Sequence, residues 1–229
     1  MASTLEPSGK TMDGYSFITP EWKHYRVIHS RFPPRNLFDE DPATQNLLAE
    51  LEAATSDRLY RWRECVAEED ARFGDGWGAV MASFCYIRPG RFNTAAFGAY
   101  YCANSVHTAI AEWSHHAAKV WRDHGFDDQA SAVVRAYIGS FKQSLIDLRE
   151  QVQFHHPDNY FASQACAVSL REQGCYGVVY TSLRHPTGLA AALFRPPATS
   201  SLRQSAHYSV RWDGTRFVEF AKLNSYEKL

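Results

Sequence analysis

The chain has 229 residues, with 24 Lys plus Arg against 25 Asp plus Glu and a formal net charge of -1. That length suits one large domain, which buries roughly 70% of its extended surface without a disulfide or metal staple. The near-neutral balance disfavours a strongly basic nucleic-acid binder, and no apolar run reaches the roughly 18 residues that a membrane span needs.

Residues 1–19 read as an N-terminal tail, with no apolar segment behind a basic start to mark an export signal. Residues 20–229 read as one domain. Five cysteines are neither a dense framework nor an even set, and they point to reduced thiols in a cytoplasmic protein. "YRVIH" predicts a strand with Tyr25, Val27 and His29 on one face and Arg26 and Ile28 on the other, ended by Pro33 and Pro34. "PATQNLLAELEAATSDRLYRW" carries Leu47, Leu48, Leu51, Ala54, Leu59 and Trp62 at helical spacing. It is one long helix, or two broken near Thr55–Asp57.

Gly74, Gly76 and Gly78 mark a loop, and "AVMASFCYIRPGRFN" reads as a strand entering a Pro-Gly turn. "FGAYYCA" is another short strand. "SVHTAIAEWSHHAAKVW" places Val106, Ile110, Trp113, Ala117 and Val120 three or four apart, a helix with Asn104 or Ser105 as its cap. "SAVVRAYIGSF" and "SLIDLR" have strand character, and "NYFASQACAVSLREQG" is a helix closing at Gly174. "YGVVYTSLR" and "LAAALFRP" are neighbouring strands. Asp213-Gly214 between alternating segments predicts a hairpin over about 205–220. Many of these strands adjoin one another in sequence, so the expected class is α+β with mostly antiparallel sheets flanked by helices, and not a doubly wound sheet.

The sequence contains no HExxH, CxxC, GxGxxG, P-loop or GxSxG motif. His115-His116 and His155-His156 are adjacent pairs, which do not share a helix face, so no metal site is expected. Three polar groups stand out. Arg26 lies inside a strand, where a cation needs an anion and where a guanidinium fork can grip a diphosphate. Glu112 lies among Ile110, Ala111 and Trp113 at the edge of a buried face; an ordinary surface glutamate would have the same spacing. Ser182 ends an apolar strand, where a hydroxyl either meets a ligand or caps a turn.

The ordered set "YRV", "GRFN" (Gly90 to Asn93), "YYCA", "AIAEW", "GVVYTSLR" (Gly177 to Arg184) and "AAALFRP" resembles the RES-domain family, over about residues 25–196. These are the toxins of RES–Xre toxin–antitoxin pairs. The resemblance implies a fold similar to the ADP-ribosyltransferases and a cleft for NAD⁺, which is the substrate and not a recycled cofactor. It implies cleavage of the nicotinamide–ribose bond, with inorganic phosphate or water as acceptor. A minority of the family transfers ADP-ribose to protein, and a non-catalytic binding module on the same fold is the remaining alternative. By motif matching, Glu112, Arg26 and Ser182 are the catalytic candidates, and Arg26, Arg91, Tyr101 and Ser182 would bind the dinucleotide. The implied partner is an Xre-type antitoxin. Self-association is compatible with the resemblance, and direct contact with nucleic acid or membrane is not expected.

Overall fold

The computed structural model describes residues 11–12, 14–30 and 62–223. Ten strands hydrogen-bond into one sheet, in the order β1-β2-β6-β7-β8-β4-β3-β5-β9-β10. They are β1 (Thr11–Met12), β2 (Tyr15–Ile18), β3 (Lys23–His29), β4 (Tyr100–Ala103), β5 (Ser131–Ser140), β6 (Leu145–Asp147), β7 (Gly177–Thr181), β8 (Leu189–Leu193), β9 (Arg203–Trp212) and β10 (Phe217–Leu223). Every pairing is antiparallel except β6 with β7. Three α-helices are described from end to end, α1 (Gly78–Cys85), α2 (Val106–His124) and α3 (Phe161–Glu172), and residues 62–65 are the described part of another. The class is the expected α+β, with a single sheet in place of several.

Strand alternation sorts the core into two layers. Tyr100, Cys102, Val179, Ala191 and Leu193 face one way and pack with Val80, Met81 and Phe84 of α1. Their neighbours Val178, Tyr180, Ala190 and Ala192 face the other way, against Ala167 and Leu170 of α3. On that second face, Val27 and Ala103 meet Ala109 and Ile110 of α2, with Tyr25 and Trp113 packed alongside. Ser105 caps α2 by accepting from Thr108 N at 3.1 Å, and Gly125 closes it in the left-handed region at φ 63°.

The sheet has a narrow waist. β3 and β5 share seven paired positions, from Lys23↔Ser140 to His29↔Val134. β3 and β4 share a single one, Tyr25↔Ala103. The strands share no further paired position at this fork, where Arg26 Nη1 donates to Tyr101 O.

Two expectations need correction. The segment around "AVMASFC" is helix α1 and not a strand, and Gly78 begins it instead of lying in a loop. Its buried residues Val80, Met81, Phe84 and Cys85 recur at helical spacing, but a short run of apolar residues shows little contrast between the two periods. Within the stretch read as a tail, Thr11–Met12 and Tyr15–Ile18 are strands at one edge of the sheet, where Phe17 pairs with Ile146 and Ile18 with Leu145. The helix expected over 42–62 lies outside the described residues except for Trp62. None of the five cysteines forms a disulfide, and no described helix is long and apolar enough to cross a membrane.

A 3₁₀ turn at Glu68–Asp70 is tied to the end of β8 by a two-pronged pair. Arg195 Nε and Nη2 donate to Asp70 Oδ2 and Oδ1 at 2.5 and 2.8 Å, with Arg195 stacked over the Tyr176 ring. Asp70 is buried while Arg195 is partly exposed. Asp70→Ala is therefore expected to cost about 2 kcal/mol, between the values for exposed and fully buried pairs. Urea unfolding of the variant measures this, and an unchanged midpoint would contradict it.

Candidate active site

The polar side chains on the α2–α3 face converge at the end of β7. Ser182 follows the last residue of that strand, and its N donates to Gly188 O at 2.8 Å, closing the loop between β7 and β8. Its Oγ accepts from Arg184 N at 3.2 Å and from His185 N at 3.3 Å, and donates to Glu112 Oε1 at 2.6 Å. The hydroxyl proton is thus committed to the carboxylate, and the lone pairs to the turn. In this arrangement Ser182 orients the Glu112 carboxylate.

Glu112 is half-buried on α2. One oxygen is fixed by Ser182, and Oε2 has no hydrogen-bond partner among the described residues. The carboxylate is oriented but only half used. Its field reaches the buried phenols of Tyr180 and Tyr101, both pushed up chiefly by burial and further by Glu112.

Tyr101 is a scaffold. Its hydroxyl donates to Asn93 Oδ1 and accepts from Phe92 N, each at 2.8 Å. Asn93 Nδ2 reaches the carbonyls of Arg88, Thr94 and Phe97, and Gln164 Nε2 of α3 donates to Gly90 O. The turn has no room for a side chain at position 90, where a Cβ would come within 2.7 Å of the Tyr101 hydroxyl. The "GRFN" motif is therefore a packed polar knot. The Tyr101 hydroxyl is spent inside it, and its ring packs against the core on the α3 side.

Arg91 is buried and points from the knot to the 154–160 loop. Its Nη1 donates to Phe154 O at 3.0 Å and His156 O at 2.7 Å, and its guanidinium lies 4.6 Å from the Tyr160 ring centroid. Arg184 Nη2 donates to Pro157 O at 2.7 Å. Two arginines from separate elements thus hold the 154–160 loop beside Glu112. His155 in that loop accepts from Thr181 N at Nε2 (3.3 Å) and lies 2.8 Å from Gln151 O at Nδ1, which fixes the neutral Nδ1–H form. Burial lowers its pKa, and the Arg91 charge adds to this.

Arg26 occupies the fork between β3 and β4. Its Nη1 donates to Tyr101 O at 3.2 Å, its guanidinium lies over the Tyr100 ring, and its Nε is buried without a partner among the described residues. Alternation along β3 turns it away from Tyr25 and Val27, and so towards the α1 side of the sheet. Glu112, Ser182, Tyr101 and Arg91 are thus brought together, whereas Arg26 reaches them only through the β4 backbone.

Sequence reasoning missed four contributors. Asn93 sits inside the quoted motif, and Tyr180 lies two residues before Ser182, on the same strand face. Arg184 ends the same motif. His116 is one helical turn after Glu112, a spacing visible in the sequence once the pair is read along the helix instead of as a neighbour of His115. Burial first, then Arg184 and Arg91, lowers the His116 pKa against the opposing pull of Glu112. His115 is lowered to about 4, again chiefly by burial. Among the described residues no three His, Cys, Asp or Glu side chains gather as metal ligands.

A family model described as the RES domain matches residues 58–213, well over half of the chain. The match includes Arg91, Tyr101, Glu112 and Ser182 and leaves Arg26 outside. A solved structure, the M. tuberculosis MbcT–MbcA toxin–antitoxin complex, aligns with a TM-score of 0.43 and 16% identity, over 86% of this chain and 87% of that chain. No curated protein matches the sequence.

Proposed function

The chain belongs to the RES-domain family, and from that premise we propose that it is a toxin that destroys NAD⁺ by cleaving the nicotinamide–ribose bond. The observation that carries this reading is the 2.6 Å bond from Ser182 to Glu112. It joins the last motif to the helix motif and leaves one carboxylate oxygen without a partner among the described residues.

In the proposed reaction, the electron pair of the C–N bond leaves with nicotinamide, which departs neutral and needs no strong general acid. Positive charge develops on the ribose. Glu112 Oε2 is available to bind a ribose hydroxyl and to stabilise that charge, which an oriented carboxylate in a water-poor cleft does best. Ser182 keeps the carboxylate from rotating. The Tyr101 ring and the loop held by Arg91 and Arg184 form walls for the nicotinamide side. Arg26, half-buried at the β3–β4 fork with its Nε unpartnered among the described residues, would take the diphosphate where the dinucleotide crosses that fork. The acceptor is water, which loses a proton as it adds, or inorganic phosphate. An Xre-type antitoxin that covers the cleft would keep the activity in check in the cytoplasm.

Purified protein incubated with labelled NAD⁺ and phosphate, followed by chromatography, separates the outcomes. ADP-ribose reports hydrolysis, and ADP-ribose 1''-phosphate reports phosphorolysis. Label on a protein band of an added cell extract, with little loss of bulk NAD⁺, would replace this reading by protein ADP-ribosylation. Intact NAD⁺ in every arm would leave a non-catalytic module.

A further inference from the structure

Among the described residues no acidic side chain neutralises the charge on Arg26. Its electrostatic neighbours are the Tyr100 phenol, the Cys102 thiol and His24. Burial pushes the first two groups up, so they stay protonated and neutral. His24 is held down to about 3 by burial, with Arg26 adding to the effect, so it too is uncharged. No carboxylate among the described residues pairs with the guanidinium. What supports it is a carbonyl at one end, Tyr101 O at 3.2 Å, and an aromatic face, with Cζ 4.8 Å from the Tyr100 ring centroid.

Tyr100 is fully buried, and its hydroxyl has no hydrogen-bond partner among the described residues. A buried phenol without a partner gains nothing over phenylalanine from its oxygen. The ring is the useful part. It packs edge-on to His24 at 5.6 Å, and His24 Nε2 is in turn fixed at 2.7 Å from Thr199 Oγ1. The face that Tyr100 offers to Arg26 is therefore held from behind.

We infer that Tyr100 is a positioning residue. Its ring face holds Arg26 at the fork as a cation without a counter-carboxylate, so that the charge is reserved for the diphosphate of the substrate. The inference rests on the proposed NAD⁺ cleavage. An aromatic face attracts a guanidinium without cancelling its charge, whereas an aspartate at the same place would compete with a substrate anion.

The test replaces Tyr100 with phenylalanine and, by site-specific incorporation, with phenylalanines of increasing ring fluorination. This series keeps the shape and drains the negative ring face. Over the series the KM for NAD⁺ is expected to rise stepwise by about 3- to 30-fold in total, the range for a desolvated cation–ring contact. Loss of binding common to substrate and transition state leaves kcat nearly constant. Plain phenylalanine restores the KM of the natural protein, and its melting temperature is expected to be the same or higher. A KM that does not respond to fluorination, with the natural protein active, overturns the inference and leaves NAD⁺ cleavage standing. No turnover in the natural protein removes NAD⁺ cleavage, and the role of Tyr100 with it.

Discussion

Glu112→Gln is expected to lower nicotinamide release from NAD⁺ by about 10²–10³-fold, the usual cost of losing one well-placed electrostatic contact at a developing charge. Glutamine keeps the shape, and its Oε1 can still accept from Ser182 Oγ, so the 182–188 loop stays anchored to α2. What disappears is the negative charge next to the ribose. Dinucleotide affinity is expected to change much less, because Arg26 sits on the other side of β4, in contact with Tyr101 O and not with Glu112. A purely structural Glu112 would behave differently, since any loss of rate would then follow a lowered melting temperature. Paired measurements of turnover, affinity and thermal unfolding distinguish the two. Unchanged turnover in a folded Glu112→Gln protein would remove this residue from the chemistry.

The second large effect is on stability in acid. His24 is fully buried between Tyr100 and Phe141, at 5.6 and 4.9 Å between ring centroids, with Nε2 2.7 Å from Thr199 Oγ1. Burial, with the Arg26 charge beside it, lowers its pKa from 6.5 to about 3. Between those values the unfolded chain binds a proton that the folded chain refuses, so stability rises with pH across the window. The contribution is fully present above about pH 6.5 and is lost on acidification at up to about 1.4 kcal/mol per pH unit. Between pH 6.5 and 4 the loss amounts to about 3 kcal/mol. Urea unfolding at several pH values, in the natural protein and in His24→Leu, isolates this term. The variant should show a distinctly shallower slope over the window, whatever its absolute stability. Identical slopes would contradict the assignment.

Periodicity carried much of the fold into view. β4, α2, α3, and the β7–β8 and β9–β10 hairpins all have long or strongly alternating patterns with a cap, a glycine or an Asp-Gly turn at the boundary. α1 did not, because "AVMASFC" has almost no polar residue to show which face is outside. β1 and β2 are short edge strands whose pairing depends on β6, more than a hundred residues away in sequence. The site divides in the same way. Glu112, Ser182, Arg91 and Tyr101 were each legible as residues in a motif. Their division of labour was not, because it depends on contacts between distant segments. Ser182 reaches Glu112 across 70 positions. The Tyr101 hydroxyl closes the "GRFN" knot, and Arg91 Nη1 spends its hydrogen bonds on the 154–160 loop.

The most direct test of the central claim is a time course of free nicotinamide when the purified protein is mixed with NAD⁺ and phosphate, followed by proton NMR. The expected result is stoichiometric release of nicotinamide with loss of NAD⁺, fast in the natural protein and slower by about 10²–10³ in Glu112→Gln. NAD⁺ that stays intact in the presence of the folded natural protein, freed of any antitoxin, would contradict it.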